Sequence, residues 1–217
     1  MPVGQPFTQL CQSLSRPRHF GRVDLHMHST FSDGVYEPAQ LADLARRSGL
    51  SAIALTDHDT LAGIAPLRGA AGTSLEIISG VEITAEFQDR ELHLLGYLFD
   101  PTDPALHSAL QRLSEERVKR FHEMIDRLAD LGVHIEEDEI AALKPTTTLG
   151  RRHLAELIVR AKKSATVREA FHRYLGDGGR ATVPKTRLPV AEAIALVRNA
   201  GGVASWAHPN YDCTRDT

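Results

Sequence analysis

The chain has 217 residues, 42% apolar and 24% charged, which fits one large globular domain or one domain with an inserted subdomain. A formal net charge of −3 creates no overall field for duplex DNA or a membrane surface, yet leaves room for a phosphate-bearing substrate at a local cationic or metal site. Two cysteines near opposite ends (Cys11 and Cys213) offer no disulfide framework, the apolar runs are too short to span a bilayer, and no secretory signal pattern is legible, so a cytoplasmic protein is expected.

Residues 1–21 read as an irregular leader. Residues 22–28 read as a core strand, with Asp24, His26 and His28 at alternate positions and Asp33 shortly after. A helix follows, opened near Pro38 and closed at Gly49. The apolar segment LSAIALTDHD is a strand running into a polar loop. Next comes a short helix, expected to be interrupted by Pro66. Then LEIISGVEITAEF and ELHLLGYLF form two strands joined at Gln88–Asp89. This β-α-β-α-β-β order implies a mainly parallel sheet or barrel.

From about residue 103 the pattern becomes helical. Leu106, Leu110, Leu113, Val118, Phe121, Ile125 and Leu128 mark the apolar face of a long amphipathic helix. Further helices are expected in EEDEIAALK, GRRHLAELIVRAK and TVREAFHRYLG. PVAEAIALVRNAGG then restores the α/β pattern and leads into a strand ending at His208. The boundaries that follow are 22–100 and 186–217 for the α/β part and 101–185 for a helical insertion.

Residues two apart on a strand face the same way, so His26 and His28 project together and are able to share one metal ion through neutral imidazoles. Asp24 is placed to orient one of those rings. His-x-His alone is weak, since a half-exposed strand face explains it as well. Four other segments carry the same kind of group: Asp57, His58 and Asp59, then Glu82, then His93, then His208. Polar groups gathered at strand ends are the usual address of an α/β active site.

In their order, DLHMHSTFSDG, LTDHD, GVEI, HLLGY and AHP resemble the motifs of the PHP (polymerase and histidinol phosphatase) superfamily, over roughly residues 22–210. They are most similar to the small bacterial members that dephosphorylate nucleoside 3′,5′-bisphosphates or trim short RNA from the 5′ end. The resemblance implies a distorted (β/α)7 barrel with a helical insertion and two to three divalent ions, whether manganese, iron, zinc or magnesium. His26, His28 and Glu82 would hold one ion, Glu82 would bridge to a second with His93 and His208, and Asp33 and His58 would serve a third. The implied chemistry is metal-dependent hydrolysis of a phosphate ester by a hydroxide held between ions. A histidinol-phosphate-type phosphatase, or a catalytically impaired metal-binding or interaction module, are the alternatives.

The family's last motif, a Gly-x-Asp-x-His-like segment, is expected well beyond AHP, and Asp212 and Asp216 follow His208 too closely to replace it. The C-terminal part of the barrel is therefore expected to be missing from this chain. Truncation, a naturally short form, or a second chain completing the barrel would each account for that. Weak metal loading and little turnover are expected of the 217-residue chain by itself.

Arg151 and His153 open a helix where the related enzymes carry a GRxH segment, and they are candidate phosphate contacts. Arg180 and Lys185, in and after a glycine-rich stretch, are further candidates on a loop rimming the pocket. Trp206 reads as core packing. His107, His122, His134, His172, Lys119 and Arg120 read as solvated surface.

Overall fold

The computed structural model describes residues 21–143 and 148–209. The expectations placed on residues 1–20, Cys11, Cys213, Asp212 and Asp216 lie outside the described residues. Six elements follow in the order read from the sequence: β1 (Arg22–Met27), α1 (Pro38–Arg47), β2 (Leu50–Leu55), α2 (Ile64–Ala71), β3 (Glu76–Phe87) and β4 (Arg90–Tyr97). The helices α3 (Pro104–Asp130), α4 (Glu137–Ala141), α5 (Arg151–Arg160) and α6 (Val167–Ala170) come next, α6 running into a π-helical turn at Phe171–Leu175. The chain then returns to the sheet through β5 (Leu188–Pro189), α7 (Val190–Asn199) and β6 (Val203–Trp206).

Local chemistry explains the boundaries. Pro38 occupies the first turn of α1, where its missing N–H costs nothing, and the Glu37 N–H donates to Gln40 Oε1 at 2.9 Å. Pro66 does not interrupt α2 as expected. It is the third residue of Ile64–Ala71, within the first turn, where no intrahelical N–H bond is lost. Gln88 and Asp89 both adopt positive φ (51° and 63°), the conformation that a tight two-residue hairpin requires between β3 and β4.

The strands form one curled mixed sheet in the order β1-β2-β3-β4-β6, with β5 also on β3. The pairs β1–β2, β2–β3 and β3–β5 are parallel, while β4 runs antiparallel to both β3 and β6. One edge of β3 changes neighbour along its length. β2 pairs with Glu76–Ser79, β5 pairs with Ala85–Glu86, and a single parallel bridge joins His58 to Glu82 between them.

Alternation along β3 and β4 sorts the side chains. Val81, Ile83, Ala85 and Leu94 are buried in a core with Leu106, Leu110 and Leu113 of α3 and Ala193 and Val197 of α7. Glu82, Thr84 and His93 take the opposite parity. A second core forms among the helices around Phe121, Met124, Leu128, Leu154, Ile158 and Leu175, and a third lies between α1, β2 and α2. Helix α3 therefore belongs to one core in its first half and to another in its second. Arg117 and Arg120 lie at the changeover.

Four expectations need correction. Among the described residues β1 lies at the edge of the sheet and is not a core strand: Val23 is 54% and Leu25 39% exposed. Trp206, on the opposite edge strand, is 44% exposed and so is not core packing. Val118 is exposed and leaves the apolar face of α3. Arg120 is buried, its Nε donating to the Val183 carbonyl at 2.7 Å, because the end of the glycine-rich stretch packs over this part of α3. His107, His122, His134, His172 and Lys119 are exposed as read.

Candidate metal centre

Five imidazoles surround one carboxylate. Glu82 Oε2 lies 3.1 Å from His26 Nε2 and 3.0 Å from His28 Nε2, while Oε1 lies 2.8 Å from His93 Nδ1 and 3.0 Å from His208 Nε2. His58 Nδ1 is 3.6 Å from Oε2. The rings follow one another around the carboxylate in a closed circuit: His26–His28 (5.2 Å between centroids), His28–His58 (4.7 Å), His58–His93 (5.0 Å), His93–His208 (5.2 Å) and His208–His26 (6.0 Å). Asp33 closes one side, 3.5 Å from His28 Nδ1 and 3.9 Å from His58 Nε2.

The backbone delivers each group. The two-residue strand period aims His26 and His28 the same way from β1. His58 and Glu82 are held by the bridge between them, in which the Asp59 N–H donates to the Glu82 carbonyl and the Glu82 N–H to the Asp57 carbonyl. His93 follows from β4, and His208 from the turn after β6, fixed by the Ala207 N–H donating to the His93 carbonyl. The loop between β1 and α1 folds back tightly on His28. A Cβ on Gly34 would lie 2.1 Å from the His28 carbonyl oxygen, so only glycine fits there.

Asp57 and Asp59, which flank His58 in TDHD, do not enter the cluster. Asp57 accepts from the Ser29 N–H (2.7 Å), the Ser29 hydroxyl (2.6 Å) and the Ser32 hydroxyl (2.6 Å), which anchors the loop carrying His28 and Asp33. Asp59 accepts from the Thr84 N–H (2.7 Å), the Thr84 hydroxyl (2.8 Å) and Arg117 Nε (2.6 Å). Asp24 orients no imidazole. Its Oδ1 accepts from the His26 backbone N–H at 3.2 Å.

The electrostatics match this crowding. Burial works against the Glu82 charge, yet His26, His28 and His93 hold its carboxyl far below the usual carboxylate range. Burial likewise opposes protonated His93, but the carboxylates of Glu82 and Glu91 push its imidazole up to about 9. His28 is also raised, Glu82 and Asp33 overcoming its burial. His58 is pushed well below its ordinary value by burial and by the nearby Arg117 guanidinium, so it stays neutral.

Divalent cations suit this donor set, which combines borderline imidazole nitrogens with hard carboxylate oxygens. Three groups bring their ligand atoms within 4.8 Å of one another: His26–His28–Glu82, His28–Asp33–His58 and His58–Glu82–His93. His58 Nδ1 is buried with no well-formed hydrogen bond, an arrangement that costs stability unless something binds there, while His93 Nε2 has the Glu91 carboxylate at 3.3 Å. His26 Nε2 and His28 Nε2 lie only 3.2 Å apart, both aimed at one carboxylate oxygen. The resemblance implied Glu82, His93 and His208 for one ion. In the structure His58 completes the group with Glu82 and His93, while His208 contacts Glu82 and is in none of the three groups.

Beside the cluster lies a cavity of about 170 Å³ bordered by Asp33, His58 and His93 on one side and Arg117, Arg120, Arg151, Arg152 and Lys185 on the other. Arg151 and Lys185, the sequence candidates for phosphate contact, are among the residues that border it. His153 does not border this cavity. Its Nδ1 accepts from the Gly150 N–H at 3.1 Å, and its ring also bonds the Ser32 backbone. Arg180 is exposed and borders neither this cavity nor the larger one adjoining it. Sequence reasoning overlooked Arg117 and Glu91. Arg117 follows Leu113 by one helical turn, a spacing that places it on the buried side of α3.

Residues 24–176 match the PHP domain family. The chain is 39% identical over 195 residues to a 5′-3′ exoribonuclease of Haemophilus influenzae, across 89% of this chain and 71% of that protein. It is 30% identical over 196 residues to a 3′,5′-nucleoside bisphosphate phosphatase of Chromobacterium violaceum, across 89% and 69%. A solved structure from Bifidobacterium adolescentis, described as a metal-dependent phosphoesterase, superposes with a TM-score of 0.81 at 33% identity, across 86% of this chain and 66% of that one. The chain thus spans roughly two thirds of the length of these relatives. Among the described residues no helix is long and apolar enough to cross a membrane.

Proposed function

The chain belongs to the PHP domain family, and on that premise we propose that it is a metal-dependent phosphoesterase acting on small nucleotides such as 3′,5′-bisphosphates, or on short oligoribonucleotides. The observation that carries this reading is the closed ring of five histidines around buried Glu82, completed on one side by Asp33. His26, His28, Asp33, His58, Glu82, His93 and His208 are the proposed metal-binding residues. Divalent ions bound there, with manganese foremost among the candidates, would supply Lewis acidity and an activated water.

The chain's own residues do the rest. Glu82 is ionised throughout the physiological range and gives both oxygens to the cluster. His58 keeps a free lone pair because it stays neutral. Arg151 and Lys185, with Arg117 and Arg152 beside them, offer cationic contacts to a phosphate above the cluster. His153 supports the site from behind by tying Gly150 to the Ser32 loop, and Arg180 is proposed to act only at the outer rim. The block 101–185 serves as the wall that selects the rest of the substrate, opposite a sheet contributed by 22–100 and 186–217. A cytoplasmic setting is part of the same proposal, in keeping with nucleotide substrates.

The test measures bound divalent metal, phosphate release from adenosine 3′,5′-bisphosphate and nucleoside monophosphate release from a 5′-phosphorylated triribonucleotide. Each of the four candidate ions is supplied in turn. Metal-dependent release from either substrate, abolished by a chelator and slow for the 217-residue chain by itself, is the expected result. No bound metal and no release with any ion would refute the reading.

A further inference from the structure

The small cavity beside the cluster opens into a larger hollow of about 500 Å³. The two share Glu91, His93, Arg120, Arg151 and Lys185, so the space is continuous. The larger part adds Arg90 and Arg187, and Thr182 and Gly178 on the glycine-rich loop. Five cationic side chains line it against two carboxylates, Glu91 and Asp177. Lys185 pairs with Glu91, and Arg151 pairs with an Asp177 side chain that is 97% exposed and free to be displaced. The hollow as a whole is therefore a cationic basin leading away from the histidine ring.

Its reach exceeds one phosphate. Arg90 and His93 are three residues apart on β4, which puts them about 10 Å apart along the strand. A phosphate against the ring cannot also touch the far end. Arg187 is held at that end: its Nη1 donates to the Asp89 carbonyl at 3.4 Å, and its Nε, 3.4 Å from Glu86 Oε2, has no hydrogen-bond partner. A guanidinium anchored in this way retains donors in a planar fork suited to a phosphodiester. Phe171 borders only the smaller cavity, and among the described residues the larger hollow has no aromatic ring besides His93, so base stacking is not what its far end offers.

We propose that this basin is a second binding site, which holds the phosphate between the second and third nucleotides of an oligoribonucleotide whose phosphate between the first and second nucleotides lies at the histidine ring, a phosphate that adenosine 3′,5′-bisphosphate does not have. Arg187 and Arg90 are its far contacts. The ligand class is a single-stranded oligoribonucleotide, recognised by its backbone and not by its bases. The proposal rests on the phosphoesterase reading for the position of the phosphate at the ring.

Equilibrium binding tests the basin separately from turnover. Binding of a 3′-labelled, 5′-phosphorylated pentaribonucleotide is followed by fluorescence anisotropy, with adenosine 3′,5′-bisphosphate as competitor. Arg187→Ala is expected to weaken the pentanucleotide about tenfold and to lower the slope of log K against log salt by about 0.7, while affinity for the bisphosphate is unchanged. Arg90→Ala, at an exposed position, provides a second variant, and it is expected to shift binding in the same direction. Thermal melts establish that both variants fold. Equal losses for the two ligands, or no loss for either, would overturn the proposal. Length-dependent, arginine-sensitive binding without bound metal and without release of phosphate or mononucleotide would uphold the basin while refuting the phosphoesterase reading.

Discussion

Arg117 Nε donates to Asp59 Oδ2 at 2.6 Å, joining the long helix α3 to the loop that carries His58. The same guanidinium donates to the Thr84 hydroxyl at 2.8 Å, and Thr84 in turn donates to Asp59. Three elements are thereby locked beside the metal centre by one buried ion pair. Removing one partner strands the other without solvent, so Asp59→Ala is expected to lower the stability of the chain by about 3 kcal/mol. Urea denaturation measures this, and Arg117→Ala should cost a similar amount. A loss under about 1 kcal/mol for both would mean that the pair is not a clamp.

Glu82 touches every imidazole in the ring and belongs to two of the three candidate groups, so its substitution bears on both at once. Glu82→Gln keeps the shape and removes the charge. Bound divalent metal per chain is expected to fall to less than about half that of the wild type, with secondary structure retained by circular dichroism. His208→Gln, at the margin of the cluster, is expected to reduce metal content less. Elemental analysis after dialysis decides both, and an unchanged metal content in Glu82→Gln would contradict the assignment.

Metal should also report through stability. An ion that binds only the folded chain stabilises it by about 2.7 kcal/mol at a hundred times its dissociation constant. The melting temperature is therefore expected to fall on treatment with a chelator and to recover when manganese is restored. Calorimetry with and without the ion measures the shift. No shift with manganese, iron, zinc or magnesium would argue against a preformed site.

His153 gives a dependence on pH that is separable from the ring. Burial is the main reason that its imidazole lies below its ordinary value of 6.5. The unfolded chain then takes up a proton that the folded chain resists, so stability is full above about pH 6.5 and is lost as pH falls through the lower folded value. His153→Gln is expected to flatten part of that loss below about pH 6.5 in chelated protein. Identical pH–stability curves for the two proteins would remove His153 from the account.

The cluster was largely legible in the sequence because strand geometry is local. A period of two suffices to aim His26 and His28 together, and polar residues closing apolar strands marked His58 and His208. What separates Asp57 and Asp59 from the ligands is not local. Their partners are Ser29, Ser32, Thr84 and Arg117, up to 58 positions away, and no spacing in TDHD shows which carboxylate turns inward. Arg120 was misread for a related reason. A helix carrying alternating charges looks solvated until another segment, here the one ending at Val183, is laid over it. β1 and Trp206 were misread because an apolar strand sequence does not say whether it lies at the edge of its sheet.

The change of neighbour along β3 has a use at the bench. Glu82 occupies the single bridge between the stretch paired with β2 and the stretch paired with β5. A slip of one residue in that strand would turn its carboxylate to the other side of the sheet, out of reach of every histidine. Metal uptake by refolded protein is therefore a gauge of strand alignment, sensitive to an error that circular dichroism would pass unnoticed.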